Sequence, residues 1–383
     1  MNQICELKNC TGCFACMNIC PKGAISNNDG YPLINNDLCV DCEGCKKICP
    51  VLNPIKMNNP LKVYAVWSKK EKDQKNSSSG GAAAVFTEYM LSKNNVVYGS
   101  ASMNGTVKHI CVDNRETAEL LRGSKYVQSD IGTIYKDVKN KLNNGKEVLF
   151  IGTPCQVAGL KNFLKKDYST LFTIDLICHG TPPIKYLKEH LASQTKKEWT
   201  SVMFRGQFDY FLTAFMNDKI VYQKQRFHDL YFMAFLEALT FRKNCYQCIY
   251  AKPTRVSDIT IGDFWGLNRN LLKNSYNGRI SLLIANTKKG EAFFERNKVD
   301  FVWEERTIEE AVNPSQGNLI HPSIPHPDRD KFEQYYQKYG FEKAVNKTQI
   351  GKNVKIKIIK DAIKQSFAYK VLKKIGCIFI NRR

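Results

Sequence analysis

The sequence predicts an α+β chain in two parts, a small cysteine-rich domain followed by a larger mixed α/β domain. Two observations carry that prediction. Cysteines at 10, 13, 16 and 20, the last followed by Pro21, recur 29 residues later at 39, 42, 45 and 49, the last followed by Pro50. Beyond about residue 60, short apolar runs alternate with segments of helical period, the pattern of a sheet covered by helices.

Each run reads C-x-x-C-x-x-C-x-x-x-C-P. A cubane [4Fe–4S] cluster needs four thiolates, and the two-residue spacings let three of them wrap it from one tight loop. In two-cluster bacterial ferredoxins the fourth cysteine of each run ligates the other cluster. By that rule Cys10, Cys13, Cys16 and Cys49 hold one cluster, and Cys39, Cys42, Cys45 and Cys20 the second. Zinc sites use paired C-x-x-C units rather than three close cysteines plus one before proline. Disulfides require an oxidising compartment. The opening MNQICELKNC has no apolar h-region, so the sequence predicts no signal peptide and a cytoplasmic protein. Two adjacent clusters carry single electrons.

Residues 1–57 are the expected bacterial-ferredoxin-like domain, in which GAISNNDGYPLIN forms a hairpin between the runs. Pro54 to Pro60 is the expected linker. KVYAVWS, NVVYGSAS, EVLFIGTP, LFTIDLICHG, ITIGDFWG and ISLLIANT are expected strands. GAAAVFTEYMLSKN, IYKDVKNKLNNG, VAGLKNFLKK and HDLYFMAFLEALTF are expected helices, the last apolar on most faces. The second domain is expected over 58–350 and a basic amphipathic tail over 351–383. The tail has two readings, a helix packing its apolar face on the protein or a helix docking to a partner or an anionic membrane. At 383 residues, 43% hydrophobic, with 21 Phe, 18 Tyr and 4 Trp, the chain can build a sizeable core, and no apolar stretch reaches the ~20 residues of a membrane span. The net charge of +21 favours anionic partners, but no helix-turn-helix, zinc finger or RNA-binding aromatic motif accompanies it, so nucleic acid is not expected.

Four further cysteines stand at expected strand ends and in one pair: Cys155 in GTPCQ, Cys178 in LICHG, and Cys245 and Cys248 in NCYQC. Strand ends converge on one edge of such a sheet, where ligand sites form. The spacing admits a shared metal site, with zinc or a cluster as occupant, or buried small residues. Cys5, Cys111 and Cys377 are read as structural, and His179 as a core or hydrogen-bonding group. Two glycine- or serine-rich turns, Ser77–Gly81 before a helix and Arg122–Ser129, could cradle a pyrophosphate. Clusters pass one electron at a time, so exchange with a hydride carrier calls for a flavin.

CTGCFACMNICP, SSSGGAAAVF, LRGSKYVQS, FRGQ from Phe204, GTPCQVAGLK, DLICHGTPP, HPDR from His326 and NCYQCIYAKPTRVSDITIGDFWG together resemble one family. It is the family of coenzyme F420 hydrogenase/dehydrogenase beta subunits, in the form fused to an N-terminal two-cluster ferredoxin, and the resemblance covers about residues 4–335. The resemblance implies that the larger domain binds a flavin, usually FAD, near Ser79, Gly80, Gly81, Ser124, Lys125, Thr153 and Gln156. It implies a third [4Fe–4S] cluster on Cys155, Cys178, Cys245 and Cys248, with Gly262–Gly266 packed close by. Three clusters lower the net charge to about +15. The expected function is a flavin- and iron–sulfur-dependent oxidoreductase exchanging electrons with reduced deazaflavin, another hydride donor or a redox partner protein. No single residue is singled out as catalytic. The alternatives are a non-catalytic electron-transfer subunit serving a separate reductase, as in surface-polysaccharide synthesis, and a scaffold with structural clusters. Peripheral attachment to the inner face of a membrane through the tail is a further expectation.

Overall fold

The computed structural model describes residues 3–206 and 209–366. The two cysteine runs flank a hairpin of β1 (Ile25–Asn28) and β2 (Tyr31–Ile34), closed by Asp29 and Gly30, both at positive φ. That is the turn the Asn-Asp-Gly sequence specifies. Each run contributes a short helix, Ala15–Ile19 and Gly44–Lys47, entered through a left-handed residue, Phe14 and Glu43 respectively.

The remainder is built on an eight-stranded sheet. In chain order its strands are β3 (Lys62–Ser68), β4 (Val96–Met103), β5 (Thr106–Val112), β6 (Val148–Gly152) and β7 (Leu171–Leu176). After β8 (Ser201–Met203), β9 (Phe211–Met216) and β10 (Lys219–Gln225), which form a separate three-stranded sheet, come β11 (Ile259–Asp263), β12 (Ser281–Ala285) and β13 (Phe301–Arg306). The large sheet has the order β13-β3-β12-β11-β7-β6-β4-β5. Its centre, β4, β6, β7 and β11, is parallel, and the strands outside it are antiparallel.

Both faces of the centre are covered, which is why its strands read as continuous apolar runs rather than alternating ones. Val148 and Phe150 of β6 face the helices Ile134–Asn143 and Pro154–Leu164, while Leu149 faces Ala82–Ser92 and Lys288–Asn297. The cysteine-rich segment packs on the first of these helical layers. Phe14 and Ala15 enter the same core as Tyr135, Val157 and Leu160. Buried Asn18 donates to the Gly132 carbonyl (2.8 Å) and accepts from the Lys136 amide (3.2 Å). The expected linker is pinned, since Asn58 and Arg255 exchange backbone hydrogen bonds of 2.7 and 2.8 Å.

The small sheet joins the helices Ile184–Gln194, Leu230–Leu236, Arg329–Asn346 and Gln349–Gln365 around a second core. The helix expected over HDLYFMAFLEALTF ends at Leu236, and Ala238 takes a left-handed conformation (φ 52°). The start of the tail is the helix Gln349–Gln365, which buries Ile350 and Val354. Residues 367–383 of the expected tail, including Cys377, lie outside the described residues, as does Gln207 of FRGQ. Among the described residues no helix is long and apolar enough to cross a membrane.

Candidate metal centres

Two apolar cavities lie in the N-terminal segment. One is lined by Cys10, Cys13, Cys16 and Cys49, and the other by Cys20, Cys39, Cys42 and Cys45. The chain therefore gathers three thiols of one run with the last thiol of the other, in both directions. Burial pushes the Cys13 thiol up to about 12, and the neighbouring Cys10 and Cys49 reinforce the rise. At Cys10 a hydrogen bond from Cys5 outweighs burial and, with the Arg242 guanidinium nearby, brings the thiol down to about 7. Cys5 thus sits against this thiol set, on both Cys10 and Cys49, a placement its out-of-register position gave no signal for.

A third set forms at the C-terminal edge of the parallel strands. Thr153, the residue after β6, caps the helix Pro154–Leu164 in a capping box with Gln156, and Pro154 is its first residue. That arrangement puts Cys155 in the first helical turn, where the helix dipole favours a thiolate. Cys178 lies two residues beyond β7, and Cys245 and Cys248 lie on and just after the 3-10 turn Lys243–Gln247. Burial and mutual repulsion raise these thiols, Cys178 to about 12. Hydrogen-bond donors surround them: the Gly180 amide at Cys178, Thr181 at Cys245, and the Tyr250 and Ala251 amides at Cys248. The Thr153 hydroxyl lies 3.2 Å from Cys155 Sγ. Among the described residues, no three Cys, His, Asp or Glu side chains converge tightly enough for a single metal ion.

A buried ion pair fixes the loop that carries the last two thiols. Arg255 Nη2 lies 2.8 Å from Asp175 Oδ1 on β7, and Arg255 Nη1 donates to the Tyr250 carbonyl at 2.8 Å. Gly262 packs on Ile177, beside Cys178, where an added Cβ would approach Ile177 Cδ1 to 2.7 Å. His179 hydrogen-bonds through Nδ1 to Asn318 (3.2 Å) and through Nε2 to the Leu236 carbonyl (3.1 Å).

The two glycine- and serine-rich turns meet at the same edge. The Ser124 amide donates to Ser78 Oγ (2.7 Å), Ser79 Oγ donates to the Ile280 carbonyl (3.1 Å), and Gln156 Nε2 donates to the Ser129 carbonyl (3.1 Å). One continuous segment, 124–129, thus connects the Ser77–Gly81 turn to the GTPCQ helix. Gly80 is required by packing, since a Cβ there would lie 2.5 Å from the Val66 carbonyl oxygen, and Gly81 by its φ of 91°. Lys125 Nζ donates to the carbonyls of Leu120, Leu121 and Arg122, at 2.8 to 3.2 Å. Burial lowers this lysine to about 7.

Sequence reasoning did not single out two arginines here. Arg205, in the FRGQ motif, donates to the Ser78 carbonyl and pairs with Asp263 at the end of β11 (2.7 Å). Its Nε is buried with no hydrogen-bond partner. Arg279 donates to the Ser77 carbonyl at 2.8 Å.

Residues 145–311 match the family described as the C terminus of the coenzyme F420 hydrogenase/dehydrogenase beta subunit, and residues 9–53 match the 4Fe-4S dicluster domain. The chain thus joins a segment similar to the C-terminal region of that beta subunit to one similar to a 4Fe-4S dicluster domain. One component of the F(420)H(2) dehydrogenase of Methanosarcina mazei is 25% identical over 162 residues, 38% of this chain and 46% of that protein. The coenzyme F420-dependent sulfite reductase of Methanocaldococcus jannaschii is 24% identical over 187 residues, 48% of this chain and 29% of that protein. The chain thus spans less than half the length of both relatives. Ferredoxin YfhL of Escherichia coli is 41% identical over 71 residues, 16% of this chain and 81% of the ferredoxin. A chain of the F420-reducing [NiFe] hydrogenase complex from Methanosarcina barkeri superposes with a TM-score of 0.43 and 15% identity, over 74% of this chain and 93% of that chain.

Proposed function

We propose that the protein is an iron–sulfur flavoprotein oxidoreductase. Cys10, Cys13, Cys16 and Cys49 hold one [4Fe–4S] cluster, Cys20, Cys39, Cys42 and Cys45 a second, and Cys155, Cys178, Cys245 and Cys248 a third. One observation carries this reading. Cys13 packs directly on Gly159, one helical turn after Cys155, so a thiol of the N-terminal set abuts the helix that presents the third set. The fit of the third set to a cluster rests on four thiols close enough to act on one another and supplied with amide and hydroxyl donors.

When bound, a flavin exchanges electron pairs and the clusters exchange single electrons, which is the combination a hydride carrier requires. FAD fits the turns Ser77–Gly81 and 122–129, where Arg205 and Arg279 bring positive charge beside the Ser77 and Ser78 carbonyls. The unpartnered Arg205 Nε is a donor a diphosphate would satisfy. Asp263 orients Arg205, and Thr153 and Gln156 hold the helix that presents Cys155. The proposed boundaries are 1–57, 58–350 and 351–383. The names of the relatives make reduced coenzyme F420 the first carrier to test, beside NADH and NADPH.

The test is direct. Protein purified without oxygen should release one flavin per chain on denaturation, and one of the three carriers should bleach the bound flavin before the cluster absorbance falls. Absence of flavin after reconstitution would leave a pure electron carrier serving a separate reductase.

A second observation favours a docking role for the tail. Ile356, Ile359 and Ile363 are all exposed on one face of Gln349–Gln365, among exposed Lys352, Lys355 and Lys360. Salt-sensitive sedimentation of the full chain with anionic vesicles, lost on deleting residues 353–383, would establish membrane contact.

A further inference from the structure

Tyr250 is buried, 4% exposed, between the N-terminal thiols and the third set. It belongs to the core that holds Cys13 and is flanked by Cys155 and Cys248. Its hydroxyl has no hydrogen-bond partner. Burial pushes this hydroxyl up, and the thiols of Cys155, Cys13, Cys248 and Cys49 around it add to the rise. Its amide already serves Cys248, and its carbonyl is held by Arg255 at 2.8 Å, so its backbone is tied to the site.

The neighbouring Tyr135 provides a contrast. It feels Cys13 and Cys155 as well, yet its hydroxyl donates to the Gln156 carbonyl at 2.8 Å. A buried hydroxyl without a partner costs about 1–3 kcal/mol in desolvation. That cost is removed if an acceptor occupies the space among the thiols.

We propose that the Tyr250 hydroxyl donates a hydrogen bond to a sulfur of the cluster held by Cys155, Cys178, Cys245 and Cys248, and so sets that cluster's reduction potential. This rests on the assignment of a third cluster. A reduced cluster carries one more negative charge than an oxidised one. A donor aimed at its sulfur stabilises the reduced form more and raises the potential. Tyr250 is a positioning residue in this account. It neither ligates iron nor accepts an electron.

The experiment is a potentiometric titration of the full chain, purified without oxygen and followed by EPR, with iron measured on every sample. Tyr250→Phe removes one oxygen and keeps the ring. The expected result is an unchanged iron content and a lower potential for one transition only, by about 59 mV for a tenfold change in a one-electron equilibrium. The cluster that moves is identified by its loss in Cys245→Ser. Replacing Tyr250 with 3-fluorotyrosine, a stronger donor of nearly the same shape, should move the same transition upward. Tyr135→Phe should leave all potentials in place. Unchanged potentials in Tyr250→Phe at full iron content overturn the proposal, as does a shift confined to a cluster that survives Cys245→Ser. If Tyr250→Phe loses iron, the fluorotyrosine protein decides, and no upward shift there overturns the proposal. If the unaltered chain holds only about eight iron, the third-cluster assignment itself fails, which the iron measurement reports independently of any potential.

Discussion

Arg242 Nη2 donates to the Cys10 carbonyl oxygen at 3.0 Å. The residue three before Cys245 is thereby bonded to the first thiol-bearing residue of the N-terminal run. Its Nη1 donates to the Gly30 carbonyl and to Gln128 Oε1, both at 2.8 Å, and the guanidinium stacks over Tyr31 at 4.0 Å. Gln128 Nε2 in turn donates to the Gly12 carbonyl at 3.1 Å. An added Cβ at Gly12 or Gly30 would lie 2.3 Å from Gln128. Both glycines therefore serve the contact between the two parts of the chain as well as their own turns.

Replacing Arg242 should loosen that contact. Arg242→Met keeps much of the volume but leaves the buried Cys10 carbonyl and the half-buried Gly30 and Gln128 acceptors without their charged donor, a bond of this kind being worth about 1.5–3 kcal/mol. The variant should melt at lower temperature and be cut by protease near residues 54–60, where the unaltered chain resists. Equal resistance of the two proteins would assign the contact to apolar packing alone.

Gly159→Val should separate Cys13 from the helix carrying Cys155. The new Cβ would lie 2.8 Å from Cys13 Sγ, and overpacking of this kind costs about 1–3 kcal/mol. Rapid mixing with a reductant that enters at the flavin should then show slower reduction of the N-terminal clusters at unchanged iron content. Unchanged kinetics would mean electrons cross elsewhere.

The third thiol set has a stoichiometric consequence. The full chain should hold about twelve iron, and the double substitution Cys245→Ser with Cys248→Ser about eight. Iron and acid-labile sulfide assays decide it, and equal iron in both proteins would remove the set from the electron route.

Arg205→Met should weaken flavin retention, since a charge-assisted contact to phosphate is worth about 1.5–3 kcal/mol. That is roughly a ten- to hundredfold rise in the dissociation constant. Lys125→Met should weaken it less, because its ammonium is spent on three backbone carbonyls and its loss acts through the turn. Fluorescence titration of the flavin-free protein compares them, and the reverse order would move the phosphates to Lys125.

The second core carries a pH dependence of its own. Burial opposes charge on His190, but Asp229, 2.9 Å away, and Glu342 overcome it and hold the imidazolium up to about 9. Tyr222 donates to the same Asp229 carboxylate at 2.6 Å. An unfolded histidine titrates near ~6.5. The stabilisation is therefore complete below about 6.5 and disappears as pH rises through about 9. Anaerobic unfolding between pH 6 and 10 should show a fall of order 3 kcal/mol on that limb. His190→Gln should start lower and fall less, and parallel curves for the two proteins would deny the histidine this role.

What the sequence disclosed divides along physical lines. The gathering of three thiols from each run follows from loop spacing, a local property, whereas the exchange of Cys20 and Cys49 was expected from the two-cluster ferredoxin pattern. The central strands were legible because burial on both faces leaves them continuously apolar. The antiparallel sheet of β8 to β10 was not assigned, although Asn217 and Asp218, both at positive φ, mark its tight turn. HDLYFMAFLEALTF continued as a helix on pattern alone. Tertiary contacts end it, with the Ala238 carbonyl accepting from Tyr246 Oη at 2.7 Å. The bonds of Arg242 could not be read, because its partners Cys10 and Gly30 lie 232 and 212 positions away. The glycines of Ser77–Gly81 suggested close approach to a ligand, and the structure adds a reason of its own, the strands packed against Gly80.

Cys155 and Gly159 share one turn of one helix, and this sets a tolerance. The offset between the third thiol set and Cys13 is about 6 Å along an axis held by backbone hydrogen bonds rather than by a flexible seam between two bodies. Breathing of the loops that carry Cys178, Cys245 and Cys248 leaves that offset untouched. A single inserted residue between Cys155 and Gly159 would not. It would turn the contact face by about 100° and swing Cys13's seat off the bearing, without altering any cysteine. Length within GTPCQVAG should thus be the least negotiable dimension of the chain, stricter than the identity of most residues inside it.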